Sequence, residues 1–148
     1  MLCYRPMRQG TPAMDVQILN DKIIVNNYGH GGGGWTLGPG AAAYVVKILK
    51  SNYHKEVNKH TPITVIGAGV IALLSTLELV NHGFKNITVV AESFDDLTSH
   101  HAGCLLAPVS MDNAPEMQKI INDIGIEAYK FYKNIAMKKI SNSQMVCS

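Results

Sequence analysis

A chain of 148 residues with a formal net charge of +2, set by 13 basic and 11 acidic residues spread along its length, carries no field suited to a polyanion, and nucleic-acid binding is excluded. Its 47% hydrophobic content is ample for one packed core, so one globular domain is expected. No apolar run reaches the length of a membrane span, and Arg5 and Arg8 fall where a signal peptide needs its apolar stretch, so a cytoplasmic protein without membrane contact is expected.

Residues 16–25, VQILNDKIIV, read as two short β-branched strands around an Asn20-Asp21 turn. A glycine-rich loop, GHGGGGWTLGPG, is expected over residues 29–40, followed by a helix over 41–50 that closes with Lys47 and Lys50, where cations suit the helix dipole. Residues 1–50 thus form one segment of hairpin, loop and helix. Residues 51–61 are polar, mixed in charge and without apolar periodicity, and are expected to be a linker.

The next segment, residues 62–140, opens with an apolar strand over 63–66, a tight turn over 67–69 and a helix over 70–81 ended by His82-Gly83. A second strand follows over 86–91, giving a parallel pair with a right-handed crossover. From 117 to 135 the apolar residues keep helical spacing, with a weak point at Gly125, and this stripe is expected to be core. The tail over 141–148 shows no periodicity and is expected to be loose.

Cys3, Cys104 and Cys147 are odd in number and lack CxxC spacing, which points to reduced thiols rather than a disulfide framework or a zinc site. The histidines are scattered, and the adjacent His100 and His101 cannot converge from a regular element, so no metal is expected. His30 is expected to be a structural hydrogen-bonding residue.

Chemistry concentrates in the strand–turn–helix. Gly67, Gly69 and Ala72 stand in a G-x-G-x-x-A arrangement between strand and helix. Gly67 permits the tight turn, Gly69 admits close approach of a pyrophosphate to the backbone, and Ala72 allows close helix packing. The helix N-terminus at Ala68, Gly69, Val70 and Ile71 offers free N–H groups to phosphate. Glu92, at the end of the second strand and followed by Ser93, stands where a carboxylate accepts hydrogen bonds from ribose hydroxyls. The fingerprint alone fits FAD or a nicotinamide cofactor, and a small NAD-binding module is the weaker alternative.

The stretch ESFDDLTSHHAGCLLAP over residues 92–108 resembles the continuation of this fingerprint in the D-amino-acid oxidases and their glycine-oxidase relatives, which bind FAD. The resemblance implies that Thr98, Ser99, Ala102, Gly103, Cys104 and Leu105 wrap the diphosphate and flavin end, with Cys104 standing where the family usually has glycine. The run NNYGHGGGGWTLGPG over residues 26–40 resembles the same family's flavin-contacting loop. It implies that the backbone of Gly31, Gly32, Gly34, Trp35 and Thr36 meets the pyrimidine edge of the flavin. The residues Tyr4, Arg5, Pro6, Met7 and Arg8 resemble the family's RPxR segment, which implies that Arg5 forks onto a substrate carboxylate.

The segments occur in circularly permuted order relative to the family, and the family's substrate domain has no counterpart in 148 residues. The expected fold class is therefore α/β: a Rossmann-type FAD-binding βαβ unit with an N-terminal hairpin, glycine-rich loop and helix packed on it, and the substrate domain largely missing. The implied function is an FAD-dependent oxidoreductase of D-amino-acid oxidase type, acting on an amino acid or amine with oxygen as acceptor. The alternative is a truncated, catalytically silent FAD-binding fragment. No protein general base is needed for hydride transfer to a flavin, and none is assigned. The expected partner is a small-molecule amino acid or amine, with a homo-oligomer or a missing substrate-domain segment left open.

Overall fold

The structure is a computed structural model that describes residues 7–102 and 113–137. Its first element is an antiparallel hairpin, β1 (Ala13–Leu19) and β2 (Lys22–Tyr28), paired in register from Ala13 against Tyr28 to Leu19 against Lys22. The two-residue connection works because Asn20 and Asp21 both take positive φ, 49° and 60°. Asx residues tolerate this left-handed geometry, and a turn of that hand matches the strand twist.

A single 3-10 turn over Gly31–Gly33 leads directly into α1 (Gly34–Asn52). The helix therefore begins seven positions before the expected 41–50 segment, and much of the glycine run is helical rather than loop. Packing overrides propensity here. Residues Leu37 to Ala42, with Val45, Val46 and Leu49, are all buried, because α1 contacts the hairpin, α2 (Val70–Asn81) and α3 (Pro115–Ala136). A helix enclosed on several sides needs small residues at the crossings. A Cβ on Gly38 would stand 2.6 Å from Leu74 Cδ1 of α2, and one on Gly40 would collide with the Ile124 carbonyl of α3.

Pro39 lies inside α1 and cannot donate to the carbonyl four residues earlier, that of Trp35. The Tyr132 hydroxyl of α3 donates to that oxygen at 2.6 Å. The pairing satisfies the carbonyl and pins α3 to the start of α1.

The expected linker over 51–61 begins in the last turn of α1 and otherwise carries turns and bends between α1 and β3. α1 runs on to Asn52, Tyr53 N–H donates to the Leu49 carbonyl at 3.0 Å, and Tyr53 and Val57 pack against the core. Lys85 N–H donates to the Lys59 carbonyl at 2.9 Å, fastening this stretch to the turn after α2. Its polar composition reflects the exposed side chains between two apolar anchors.

β3 (Ile63–Ile66), α2 and β4 (Ile87–Val90) follow as the sequence indicates, and β3 pairs with β4 in parallel, Ile63 against Ile87 to Ile66 against Val90. Ile63, Val65 and Ile87 turn toward the core, while Ile66 is 87% exposed and Val90 51% exposed on the opposite face. α3 is continuous through Gly125 and buries Ile121, Ile124 and Ala128, one stripe at helical spacing.

One buried cluster joins Met14 of β1, Leu37, Val45 and Leu49 of α1, Leu79 and Phe84 around the end of α2, and Ile121 and Ile124 of α3. The protein is thus mixed α/β, with a small parallel sheet and an antiparallel hairpin sharing a core. No described helix is long and apolar enough to cross a membrane.

Candidate functional site

Two glycine turns end two strands and open two helices at the same place. β2 runs through Gly29 and the 3-10 turn into α1, and β3 runs through Gly67 into α2, whose N-cap is Gly69. Gly67 has φ +108°, a backbone conformation that requires glycine, and its N–H donates to the Val90 carbonyl at 2.7 Å, extending the parallel ladder by one bond. The two helix starts touch: a Cβ on Gly34 would lie 3.3 Å from Val70 Cγ1.

Neither helix N-terminus receives a capping hydrogen bond from its N-cap residue, Gly33 for α1 and Gly69 for α2. No acidic residue occupies the first turn of either helix. The positive dipole ends of α1 and α2 thus lie side by side without side-chain caps.

These helix starts open on a cavity of about 1730 Å³. Of the residues anticipated for the flavin end, Gly31, Gly32, Gly34, Trp35 and Thr36 line it. Of those anticipated for the diphosphate, Gly69, Val70, Ile71, Thr98 and Ser99 line it, together with Ala102. The indole N–H of Trp35 donates to the Ser99 carbonyl at 3.2 Å, tying the loop after β4 to the first turn of α1. That loop is shaped from within by Ser93, whose hydroxyl bridges the carbonyl and N–H of Asp95, and by His101, whose Nε2 meets Asp96 Oδ1 at 2.6 Å.

Gly67 and Ala68 lie behind the cavity wall, in the turn that positions Gly69. Glu92 and Ser93 follow β4 as exposed residues and are outside the wall as well. Arg5, Gly103, Cys104 and Leu105 lie outside the described residues.

Gly69 behaves differently from the other turn glycines. Its φ is −71°, and an added Cβ would meet only Ser99 Oγ, at 3.9 Å. Neither strain nor crowding within the fold demands glycine there. The open space beside it is available to a ligand that approaches the backbone closely.

His30, at the mouth of the first turn, corrects one expectation. It is only 4% exposed, and neither ring nitrogen has a hydrogen-bond partner among the described residues. The expected hydrogen bonds are thus not made among the described residues, and burial pushes its pKa down from 6.5 to about 4, leaving a neutral imidazole at physiological pH. Sequence reasoning also missed Asn27, whose side-chain amide donates to Ser75 Oγ of α2 at 2.9 Å and so links β2 to α2 across the cavity floor. No local pattern marks that contact, which joins residues 48 apart.

No protein-family model matches the chain, and comparisons with curated proteins and with solved structures find no significant match.

Proposed function

We propose that the chain binds FAD and is an oxidoreductase of D-amino-acid oxidase type, catalysing oxidative deamination of an amino acid or amine with oxygen as acceptor. The observation that carries the nucleotide part is the pair of adjoining helix N-termini, free of side-chain caps, on the wall of one cavity. In this reading the N–H groups of residues 69–71 hold the diphosphate, with Thr98 and Ser99 closing over it. Glu92, in the loop after β4 and outside the cavity wall, is assigned to the ribose hydroxyls on the sequence fingerprint alone. The open Cβ position at Gly69 fits such close approach.

The flavin end is assigned to Gly31, Gly32, Gly34, Trp35 and Thr36. The positive end of α1 would stabilise negative charge at the pyrimidine edge, and the Trp35–Ser99 bond holds this loop without reorganisation. Bound flavin supplies the acceptor for the hydride that leaves the substrate α-carbon. Arg5 is assigned to the substrate carboxylate on the family resemblance alone.

The test is a visible spectrum after reconstitution with FAD and desalting, followed by anaerobic addition of a D-amino acid. Retained flavin that bleaches is the expected result. Retained flavin that stays oxidised would reduce the chain to a catalytically silent FAD-binding fragment, and loss of flavin on desalting would contradict the cofactor assignment.

A further inference from the structure

Among the described residues three non-glycine positions take positive φ, and two of them, Asn20 and Asp21, form the hairpin turn. The third is Asp96, at 58° in the loop after β4, and left-handed non-glycine backbone clusters at tight turns and functional sites. The Asp96 carboxylate accepts a hydrogen bond from His101, Nε2 to Oδ1 at 2.6 Å. The turn between them is closed by other bonds: His100 N–H donates to the Leu97 carbonyl at 2.8 Å, and Leu97 N–H donates to His100 Nδ1 at 3.4 Å. The side chains of His101 and Asp96 are 42% and 65% exposed, and an ion pair that wet contributes little to stability. What the contact does set is the imidazole: a carboxylate at Nε2 keeps the proton on that nitrogen and leaves Nδ1 its lone pair.

His101 lines the cavity, and its loop reaches both helix starts. Two residues earlier, the Ser99 carbonyl accepts the Trp35 indole N–H at 3.2 Å, and Ser99 Oγ lies 3.9 Å from where a Cβ on Gly69 would stand. The Cα of His101 is no more than ~7 Å from that of Ser99. The other carboxylate, ammonium and imidazole groups on the wall stand apart or are closed off. Asp21 and Lys22 lie at the hairpin turn, a strand length of ~20 Å from the glycine turn that leads into α1. Glu56 follows the far end of α1, ~28 Å from its start. His30 precedes that start, but both its ring nitrogens are buried. Tyr28 lies under the Arg8 guanidinium, at 5.7 Å from the ring centroid, and Glu92, Asp95 and His100 are outside the wall. Among the described residues, His101 is thus the accessible imidazole at this end of the cavity.

We propose that His101, oriented by Asp96, accepts the proton that the substrate ammonium must lose before it is oxidised. This rests on the oxidase reading above, in which the first turn of α1 meets the flavin. An amino acid arrives as an ammonium, whose nitrogen has no lone pair. Hydride leaves the α-carbon as a nitrogen lone pair forms the C=N bond, so one N–H proton has to go first. The ammonium N–H bond breaks, its electron pair stays on nitrogen, and the proton passes to Nδ1 of His101. Hydride then passes to the flavin and the substrate leaves as an iminium, while the Asp96 carboxylate balances the imidazolium charge. His101 takes no proton from the α-carbon, and it returns the one it holds to solvent through its exposed edge. Asp96 acts through His101 and is a positioning residue.

The test uses the full chain. Anaerobic bleaching of bound FAD by D-alanine is followed from neutral pH to above the pKa of the D-alanine ammonium, in the native chain and in His101→Gln, whose amide can still donate to Asp96. The variant is expected to bleach ~100-fold more slowly at neutral pH, and the deficit is expected to vanish at high pH, where solvent has already removed the proton. A ratio that stays constant across the range, or equal rates throughout, would overturn the proposal and leave the oxidase reading standing. A native chain that loses its flavin or does not bleach would overturn the oxidase reading, and this proposal with it. Imidazole ¹⁵N spectra without FAD give an independent readout: the native His101 ring is expected to carry its proton on Nε2, and Asp96→Asn is expected to mix the two tautomers. A native ring protonated on Nδ1 would overturn the proposal whatever the flavin does.

Discussion

Lowering the pH below neutrality should destabilise this protein through His30. The unfolded imidazole takes up a proton near pH 6.5, whereas the buried one resists protonation until about pH 4. Between those values the unfolded state binds more protons, so stability falls as the pH falls, and the effect is absent above pH 6.5. At ~1.4 kcal/mol per pH unit, this withdraws about 2 kcal/mol between pH 7 and pH 5 and about 3 kcal/mol by pH 4. For a domain of this size the first figure corresponds to a fall of ~6 °C in Tm. The assay is chemical denaturation of the native chain and of His30→Leu at half-unit steps from pH 7.5 to pH 4.5. Leucine removes the titration and also two ring nitrogens that lack partners, so the variant should be at least as stable at pH 7. The difference between the two profiles should grow by about 2 kcal/mol from pH 7 to pH 5, with carboxylate effects cancelling. Parallel profiles over that interval would mean that His30 is not held neutral by burial.

Tyr132→Phe should cost about 1–2 kcal/mol in urea denaturation, because it strips the Trp35 carbonyl of the donor that replaces the one missing at Pro39. In a Pro39→Ala background, where the helix can supply its own N–H, the same substitution should cost about 1 kcal/mol less; equal costs in both backgrounds would break the link. Gly40→Ala should lower stability by about 3 kcal/mol or more despite alanine's better helix propensity, since its methyl group collides with backbone of α3. Gly38→Ala should cost markedly less, because the atom it meets is the end of the Leu74 side chain; thermal melts giving the reverse order would contradict the assignment of these glycines to helix crossings.

The parts of the fold legible in the sequence are those whose signals are local. β3, α2 and β4 are bounded by apolar runs and by glycines at Gly67 and Gly83, both of which take positive φ. The turn at Asn20 and Asp21 and the stripe of α3 are equally local. What stays hidden depends on contacts distant in sequence. Glycine and proline in residues 34–40 read as loop because intrinsic propensity disfavours helix, and only the close approach of α2 and α3 outweighs that preference. Tyr53 and Val57 resemble linker residues because two apolar anchors separated by turns have no period. For the candidate site, the turn residues are visible as a pattern, but their joint placement on one cavity wall is not, nor is the unpartnered state of His30. Burial of a polar side chain cannot be read from composition.

If the backbone at the start of α2 holds the diphosphate of FAD, Gly69→Ala should weaken FAD binding without unfolding the chain. Because the new methyl group would meet only Ser99 Oγ at 3.9 Å and φ is −71°, the variant should fold, with Tm lowered only by the small cost of alanine at an N-cap. Titration of FAD followed by flavin fluorescence should give saturable binding to the native chain and at least tenfold weaker binding to the variant, a loss of about 1.4 kcal/mol. Equal affinity of the two proteins, with folding intact in both, would mean that the backbone at residue 69 does not hold the diphosphate.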